Sequence, residues 1–316
     1  MNGSLFSHIS GKEILSNHGS SSLFWRKMGF NKKEIIPVDN MLRVNEYDYT
    51  CACAKYCVRN PVKDPIWMLF DKEKKNVLGL IINSKSTVVP VFCGMDEIPV
   101  KKFPVNFFKL KKIHSIQGFK KEVLILEDLI KKTGRKIADF FDYDLMDLDI
   151  EKGKGNREQG TEKNEPETKS SIVRNLVIRE PRMTDLDELV PLQTAYEHEE
   201  VQHKGSIFSP AASRVNLANI IAKGKILIAL VNGRIVGKIN VSGVSFSRYL
   251  VGGVFVHPDY RGQGIAGFMT AEFIKLLVSE GRGVTLFVKK SNAAARKLYV
   301  RLGFKKYGDY RITYLD

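Results

Sequence analysis

The sequence predicts two α/β domains joined by a polar linker, and three observations lead to this fold class. The chain has 316 residues, about twice an ordinary domain of roughly 150 residues. Hydrophobic residues make up 43% of it, which is enough apolar side chain for two cores. Residues 151–170 contain no hydrophobic side chain, whereas apolar runs of strand length alternate with helical patterns in residues 171–316.

The polar segment sets the predicted domain boundaries. Five acidic and five basic residues balance within residues 151–170. A segment with nothing apolar to bury cannot offset the entropy lost on ordering. We therefore expect an N-terminal α/β domain over residues 1–150, a flexible linker over residues 151–170 and a second domain over residues 171–316.

Local signals define the elements of the second domain. Strands are predicted at residues 173–179, 226–231, 235–241, 250–256 and 284–288. Helices are predicted from Thr184, from Ser209 and Pro210, and over residues 265–277 and 293–302. Asn232-Gly233 between two apolar runs is a strong hairpin signal, and Ser209 before Pro210 is a typical helix start. These elements predict a mixed, mostly antiparallel sheet flanked by helices.

The N-terminal half carries a short echo of the second. Residues 77–84 line up with residues 235–242, each after an apolar run and a polar turn. An internal duplication would produce this match, and so would any two hairpins. Both interpretations stay open, and residues 1–40 give no assignable pattern.

Composition narrows the classes of partner. The net charge is +15, but the basic residues come mostly as short lysine pairs, which does not predict a nucleic-acid-binding arm. The N-terminus lacks a basic start followed by an apolar core, and no apolar run approaches the ~20 residues of a membrane span. The sequence thus predicts a cytoplasmic protein without a membrane partner.

The cysteines are all in the first half, and none of them predicts a metal site. Cys51, Cys53 and Cys57 form a C-x-C-x3-C pattern, which is not a usual zinc spacing. We expect buried, inert thiols, because a free cysteine packs like a small hydrophobic residue.

A glycine-rich stretch in residues 254–267 carries the chemistry of the second domain. An apolar strand runs through a short turn into glycines that open a helix. Such a turn directs backbone N–H groups and the positive end of a helix toward one point, which favours a phosphate. No Gly-Lys-Ser/Thr follows it, so it is not a Walker A loop. Taken alone, it could also be an ordinary capped helix start.

Two motifs in this half resemble a known family. Arg261-x-x-Gly264-x-Ala266 resembles the R/Q-x-x-G-x-G/A signature of the GNAT superfamily of N-acetyltransferases. Asn292 and Tyr299, followed by Gly303, resemble that family's second motif, in the expected order. The resemblance covers residues 177–314. The first half has neither motif, so a copy of the fold there would be degenerate.

The resemblance implies a binding role for each matched position. The loop amides would bind the pyrophosphate of acetyl-CoA, and the preceding strand would pair with the pantetheine. The implied cofactor-binding residues are Val254, Phe255, Val256, Arg261, Gly262, Gln263, Gly264, Ile265, Ala266, Gly267 and Asn292. Asn292 would also cap the following helix.

The resemblance implies one catalytic residue and leaves the general base open. Tyr299 stands where many family members have a proton donor to the leaving thiolate; packing is the alternative. Phe287 stands where some members carry a glutamate base, and it cannot accept a proton. A base must then come from elsewhere, for instance His198, Glu199, Glu200 or His203, or from water. We interpret His257, at the mouth of the loop, as positional.

The predicted function is therefore transfer of acetyl from acetyl-CoA to a primary amine by direct attack. The expected partners are acetyl-CoA and an amine acceptor, either a small molecule or a protein, with no metal. The alternative is a non-catalytic acyl-CoA-binding regulatory module, which Phe287 favours and Tyr299 opposes.

Overall fold

The chain folds as α/β structure in two compact units. The computed structural model describes residues 23–29, 31–72, 76–93, 95, 103, 107–108, 113–148, 175–204, 206 and 209–316. The first unit comprises the described residues up to Ala138 together with Arg311–Asp316, and the second is Asp139–Tyr310. The predicted linker, residues 151–170, lies outside the described residues.

Strands and helices alternate along both halves. The strands are β1 (Leu23–Lys27), β2 (Ile66–Asp71), β3 (Asn76–Ser84), β4 (Thr87–Val91), β5 (Ser115–Phe119), β6 (Ile137–Leu148), β7 (Leu176–Arg179), β8 (Ile226–Val231), β9 (Arg234–Val244), β10 (Arg248–Val256), β11 (Gly283–Lys289) and β12 (Lys305–Leu315). The helices are α1 (Lys32–Val44), α2 (Thr50–Val58), α3 (Lys120–Lys131), α4 (Leu186–Tyr196), α5 (Pro210–Ala222), α6 (Ile265–Ser279) and α7 (Ala293–Arg301).

The local signals of the second half are confirmed. Ser209 caps α5 and accepts a hydrogen bond from the Ala212 N–H at 3.3 Å. Asn232 and Gly233 turn the β8–β9 hairpin with φ angles of +51° and +79°, as a turn with two left-handed residues requires. The helix predicted from Thr184 begins with a short 3₁₀ turn before α4.

The second unit is a mostly antiparallel sheet between two helical layers. Six of its described strands lie in the order β6-β11-β10-β9-β8-β7, and among these six only β10 and β11 run parallel. Helices α6 and α7 pack on one face around Met269, Phe273 and Tyr299. Helices α4 and α5 cover the other face around Leu189 and Leu217.

The second compact unit begins and ends at residues different from those predicted for the second domain. Residues 139–148 precede the linker in sequence, yet β6 pairs antiparallel with β11, from Tyr143 opposite Lys289 to Leu148 opposite Val284. Two buried carboxylates hold this strand. Asp147 pairs with Arg248, and Asp144 contacts Arg296 at 2.6 Å. The second compact unit thus includes a strand that the first half of the sequence encodes.

The two halves share one topology. Each begins with a strand and two helices, continues with three antiparallel strands, and ends with a parallel strand, a helix and a long strand. The segment that would match α6 falls largely outside the described residues.

The echo between residues 77–84 and 235–242 falls on equivalent strands, β3 and β9. Gly79 pairs with Leu69 and Gly237 with Ala229, each beside the same kind of register shift. A Cβ at Gly79 would lie 3.3 Å from the Val91 carbonyl, and one at Gly237 would lie 3.3 Å from the Phe255 carbonyl. An arbitrary hairpin would not share these details, so they favour a duplicated fold.

The expected burial of the cysteines holds for Cys51 and Cys53 but is wrong for Cys57, which is exposed. Helix α2 places Cys57 one turn beyond Cys53, at the solvent-facing end of the helix. Burial raises the pKa of the partly buried Cys93 to about 12, so that thiol stays protonated at neutral pH.

Candidate active site

The sheet of the second unit opens where β10 and β11 separate. Their parallel ladder ends at the pair of Val251 and Leu286, while β10 continues to Val256. An uncovered strand edge offers N–H and C=O groups to an extended ligand that carries amides. The predicted cofactor-binding residues Val254 and Phe255 lie on this edge.

A glycine-rich turn leads from the end of β10 into α6. Gly262 and Gly264 have φ angles of +76° and +83°, a region that residues with a Cβ rarely adopt. Gly264 is the N-cap of α6, and its carbonyl accepts from the N–H groups of Gly267 and Phe268. The first N–H groups of the helix have no acceptor within it, and together with the helix dipole they favour an anion.

Arg261 and Gln263 are held beside this turn by local hydrogen bonds. Arg261 donates to the Val256 carbonyl at 3.0 Å and pairs with Glu199 at 2.8 Å. Gln263 donates to the Asp259 carbonyl at 3.3 Å. Because the Arg261–Glu199 pair is well exposed, it contributes little stability, and a phosphate can replace the carboxylate.

Asn292 lies at the start of α7 and makes two contacts. Its side-chain oxygen caps α7 by accepting from the Ala295 N–H at 3.0 Å, and its amide nitrogen donates to Glu200 at 3.1 Å. A cavity of about 420 Å³ lies here, lined by Glu199, Glu200, Lys289, Ser291, Asn292, Ala293 and Ala294. The amide nitrogen carries two hydrogens, and neither the cap nor the bond to Glu200 uses the second one.

Tyr299 is buried on α7. Its ring packs edge-on against Phe304, with 5.9 Å between the ring centroids. Burial raises the pKa of Tyr299, and the neighbouring Tyr196 and Glu200 raise it further. The phenol therefore keeps its proton at neutral pH, as a proton donor must, and it lies close to the end of α4.

The end of α4 continues as a π-helical turn, Glu197–Val201. Such turns are frequent at functional sites. Glu199 and Glu200 reach Arg261 and Asn292, whereas His198 is exposed and the His203 ring contacts the Lys204 carbonyl. The structure thus brings the two glutamates, but neither histidine, to the predicted cofactor residues. His257 caps the turn before the loop, consistent with a positional role.

Phe287 packs as part of an aromatic stack. It lies parallel to Tyr310 at 5.4 Å and edge-on to Tyr143 at 5.1 Å, measured between ring centroids. Tyr143 belongs to β6, so a residue encoded before the linker contacts Phe287, the position at which the family resemblance implies a base in some members. The stack supplies shape and an apolar surface, not a proton acceptor.

Lys238 is a buried residue that was not predicted from the sequence. Its side chain is fully buried, and its amine donates to the Gly253 carbonyl at 3.0 Å and to Asn240 at 3.3 Å. Burial lowers its pKa to about 7, against a smaller opposing effect of Glu197. A single lysine within the apolar run at residues 235–241 was the available signal.

Two further observations concern the described residues alone. They hold no group of three or more His, Cys, Asp or Glu side chains arranged to bind a metal ion. They also include no helix with the length and apolar character needed to cross a membrane.

Comparison with known proteins relates the segment that contains this site to a family. Residues 188–304 match the acetyltransferase (GNAT) family, and that segment contains the open edge, the glycine-rich turn and Tyr299. These residues form a GNAT domain. An acetyltransferase of Pectobacterium atrosepticum is 37% identical to this protein over 82 residues. These residues are 25% of this chain and 56% of that relative. The match thus spans about half of the relative's length.

Solved structures extend the likeness in fold beyond the GNAT domain. A GCN5-related N-acetyltransferase from Sphaerobacter thermophilus aligns over 92% of this chain and 95% of its own, with a TM-score of 0.57 at 14% identity. A tandem GNAT protein from the clavulanic acid biosynthesis pathway aligns over 93% and 98%, with a TM-score of 0.55 at 11% identity. The shared fold therefore reaches into both halves.

Proposed function

We propose that the protein is an N-acetyltransferase that moves acetyl from acetyl-CoA to a primary amine. The family match of residues 188–304 supports an acyltransferase. One observation carries the choice of donor: the uncovered edge of β10 leads directly into the glycine-rich turn and the N-terminus of α6. A single surface thus offers strand amides and then an anion site.

The residues present fit such a donor. The amides of a pantetheine can pair with Val254 and Val256, and a pyrophosphate can sit against the N–H groups from Gly262 to Ala266. The Gly267 N–H, predicted to bind it as well, donates to the Gly264 carbonyl instead. Nothing lies within 4 Å of a Cβ built at Gly262, so the turn leaves room for phosphate oxygens. Arg261 and Asn292 flank the same opening with hydrogen-bond donors.

The proposed reaction is a direct transfer. The amine nitrogen attacks the thioester carbonyl carbon, the C–N bond forms, and the C–S bond breaks to release a thiolate. The amine loses one proton, and the thiolate gains one. Tyr299 is the proposed donor to sulfur, because its hydroxyl stays protonated at neutral pH. Phe287 cannot take up the proton of the amine, which passes to water or to a group outside the stack.

A second function is favoured by the Phe287 stack alone. Three packed aromatic rings where a base would stand suit a domain that binds acyl-CoA without turning it over. The protonated, buried Tyr299 has no purpose in that alternative beyond packing. We therefore retain the transferase.

A screen of acceptors distinguishes the two functions. The full chain would be incubated with acetyl-CoA and a panel of small amines, polyamines and peptides with free N-termini, and release of the CoA thiol would be followed. Binding of acetyl-CoA would be measured in parallel by calorimetry. We expect binding and thiol release with at least one amine. Binding without release across the panel would favour the regulatory module, and absence of binding would reject both.

A further inference from the structure

Lys238 is a charged residue in an apolar position. It lies on β9 opposite Ile228 of β8 and Phe255 of β10, on the sheet face that α4 covers. Its amine is 4.3 Å from the centroid of the Tyr196 ring, at the end of α4. Burying an amine at such a site opposes folding unless hydrogen bonds replace the lost solvation, so a lysine here is unusual for a residue that only packs.

The amine holds an irregularity in β10. Between the pairs Asn240–Gly252 and Lys238–Phe255, β10 has one more residue than β9, which is a β-bulge. Gly253 in this bulge has a φ of +62°, and its carbonyl accepts the Lys238 hydrogen bond at 3.0 Å. A Cβ at Gly253 would lie 2.0 Å from the Asn240 oxygen, so only glycine fits.

That hydrogen bond also fixes the next amide. In a trans peptide the carbonyl and the following N–H point in opposite directions. Since the Gly253 carbonyl points to Lys238, the Val254 N–H points away from it. Val254 lies on the part of β10 that β11 does not cover, so this N–H is a directed donor at the opening of the sheet.

The first half of the chain provides a comparison without the lysine. Leu80 takes the position of Lys238: it pairs with Met68 and Val91 as Lys238 pairs with Ile228 and Phe255. There the β3–β4 ladder runs from Leu80 to Ser84 without a shift in register. The buried lysine and the bulge are thus both present in one half and both absent in the other.

We propose that Lys238 is a positioning residue that holds the Gly253 bulge so that the Val254 N–H donates to the carbonyl oxygen of the acyl group. This inference rests on the proposed function. As the amine attacks, negative charge grows on that oxygen. When the C–S bond breaks, the C=O bond forms again and the negative charge leaves on the sulfur. A donor aimed at this oxygen accelerates the step only if its direction is fixed beforehand.

The test replaces the amine with apolar side chains in the full chain. Lys238→Met keeps the length of the side chain, and Lys238→Leu installs the residue that the first half carries at Leu80. Ile228→Val, a change on the facing strand and the same sheet face, is the matched control. We expect both lysine variants to fold, to bind acetyl-CoA within about threefold of wild type, and to lose at least about tenfold in kcat. The control should keep its kcat.

Three outcomes would overturn the inference. An unchanged kcat in both lysine variants would remove Lys238 from the reaction. Loss of acetyl-CoA affinity in proportion to the loss of activity would make it a binding residue. Failure of both variants to fold, seen by circular dichroism, would make it a structural one. If instead the wild-type chain neither binds acetyl-CoA nor releases thiol, the proposed function fails first.

Discussion

Burial shifts the pKa values of two single side chains, Tyr299 and Lys238, in opposite directions. Tyr299 must hold its proton to donate it, and burial raises its pKa. Lys238 is buried as well, and the same loss of solvent lowers its pKa to about 7, because burial disfavours the charged form of each group. Burial on either face of the sheet thus keeps both groups neutral over much of the physiological range.

Substitution of Tyr299 by phenylalanine isolates the hydroxyl. The ring would still pack against Phe304, so we expect stability and acetyl-CoA affinity to stay close to wild type. A general acid contributes about 10²–10⁴-fold, so kcat should fall at least tenfold. Because the pKa of Tyr299 is raised, no alkaline limb from this residue should appear below about pH 10. Steady-state kinetics with a measured dissociation constant would check this, and an unchanged kcat would leave Tyr299 a packing residue.

Lys238 should make stability depend on pH. Its pKa falls from 10.5 in the unfolded chain to about 7 in the folded one. Between these values the unfolded state binds more protons, so the unfolding free energy rises with pH, and the full penalty applies below pH 7. Lys238→Met should therefore stabilise the fold by on the order of 2 kcal/mol near pH 6, and this gain should shrink toward pH 10.

Denaturant unfolding at pH 6, 8 and 10 measures this dependence. The hydrogen bonds to Gly253 and Asn240 are lost in the variant at every pH alike, so the change with pH isolates the charge. A difference in unfolding free energy that stays constant from pH 6 to pH 10 would contradict the assignment. Glu197, the charged neighbour that opposes the shift, is present in both proteins.

At the scale of elements, local signals predicted most of the second half. The capping Ser209, the Asn232-Gly233 turn and the glycine-rich start of α6 each act within a few residues, so the sequence alone reveals them. The bulge at Gly253 and the pairing of β6 with β11 depend on partners far along the chain. Nothing within β6 itself marks the strand it pairs with, and this is why the boundary at residue 139 was not predicted.

The glycine-rich turn can be tested with a matched control. Gly264 and Gly224 both have a positive φ, +83° and +69°, but Gly224 ends α5, away from the opening. A Cβ at Gly224 meets nothing within 4 Å, and one at Gly264 meets only Phe268 at 4.0 Å. Valine should strain the backbone at both positions by about 1–2 kcal/mol or more.

Only Gly264→Val should lose acetyl-CoA. Calorimetry on both variants, with melting temperatures for each, separates strain from loss of the phosphate site. Wild-type affinity in both variants would mean that the turn before α6 does not bind the pyrophosphate. A shared loss of affinity would assign the effect to reduced stability.

For the whole molecule, the shared topology raises the question of how many donors bind. The first half lacks the Arg-x-x-Gly-x-Ala motif. The backbone that corresponds to the β10 edge there already has a side-chain partner. The Phe92 N–H donates to Glu122 at 3.2 Å, and Tyr49 donates to the same carboxylate at 2.5 Å. We expect one acetyl-CoA per chain by calorimetry, and a stoichiometry of two would show that the first half has kept a site.

The division into compact units also predicts which fragment can fold alone. A fragment of residues 171–316 follows the linker boundary but lacks β6. Without β6, one edge of β11 would have no partner strand. Arg296 and Arg248 would also lose their ion pairs with Asp144 and Asp147. It would also remove Met146 from the core. We expect this fragment to aggregate or to unfold at least about 10 °C below one of residues 139–316, since unpaired edges and lost core contacts both oppose folding. Circular dichroism melts and size-exclusion chromatography of the two fragments would check this.

The longer fragment adds residues 149–170 as well, so a version with those residues replaced by a Gly/Ser linker is the control, and it should behave like the parent. Equal stability and equal acetyl-CoA binding in the shorter fragment would restore the boundary at residue 171 and would make β6 dispensable to the GNAT domain.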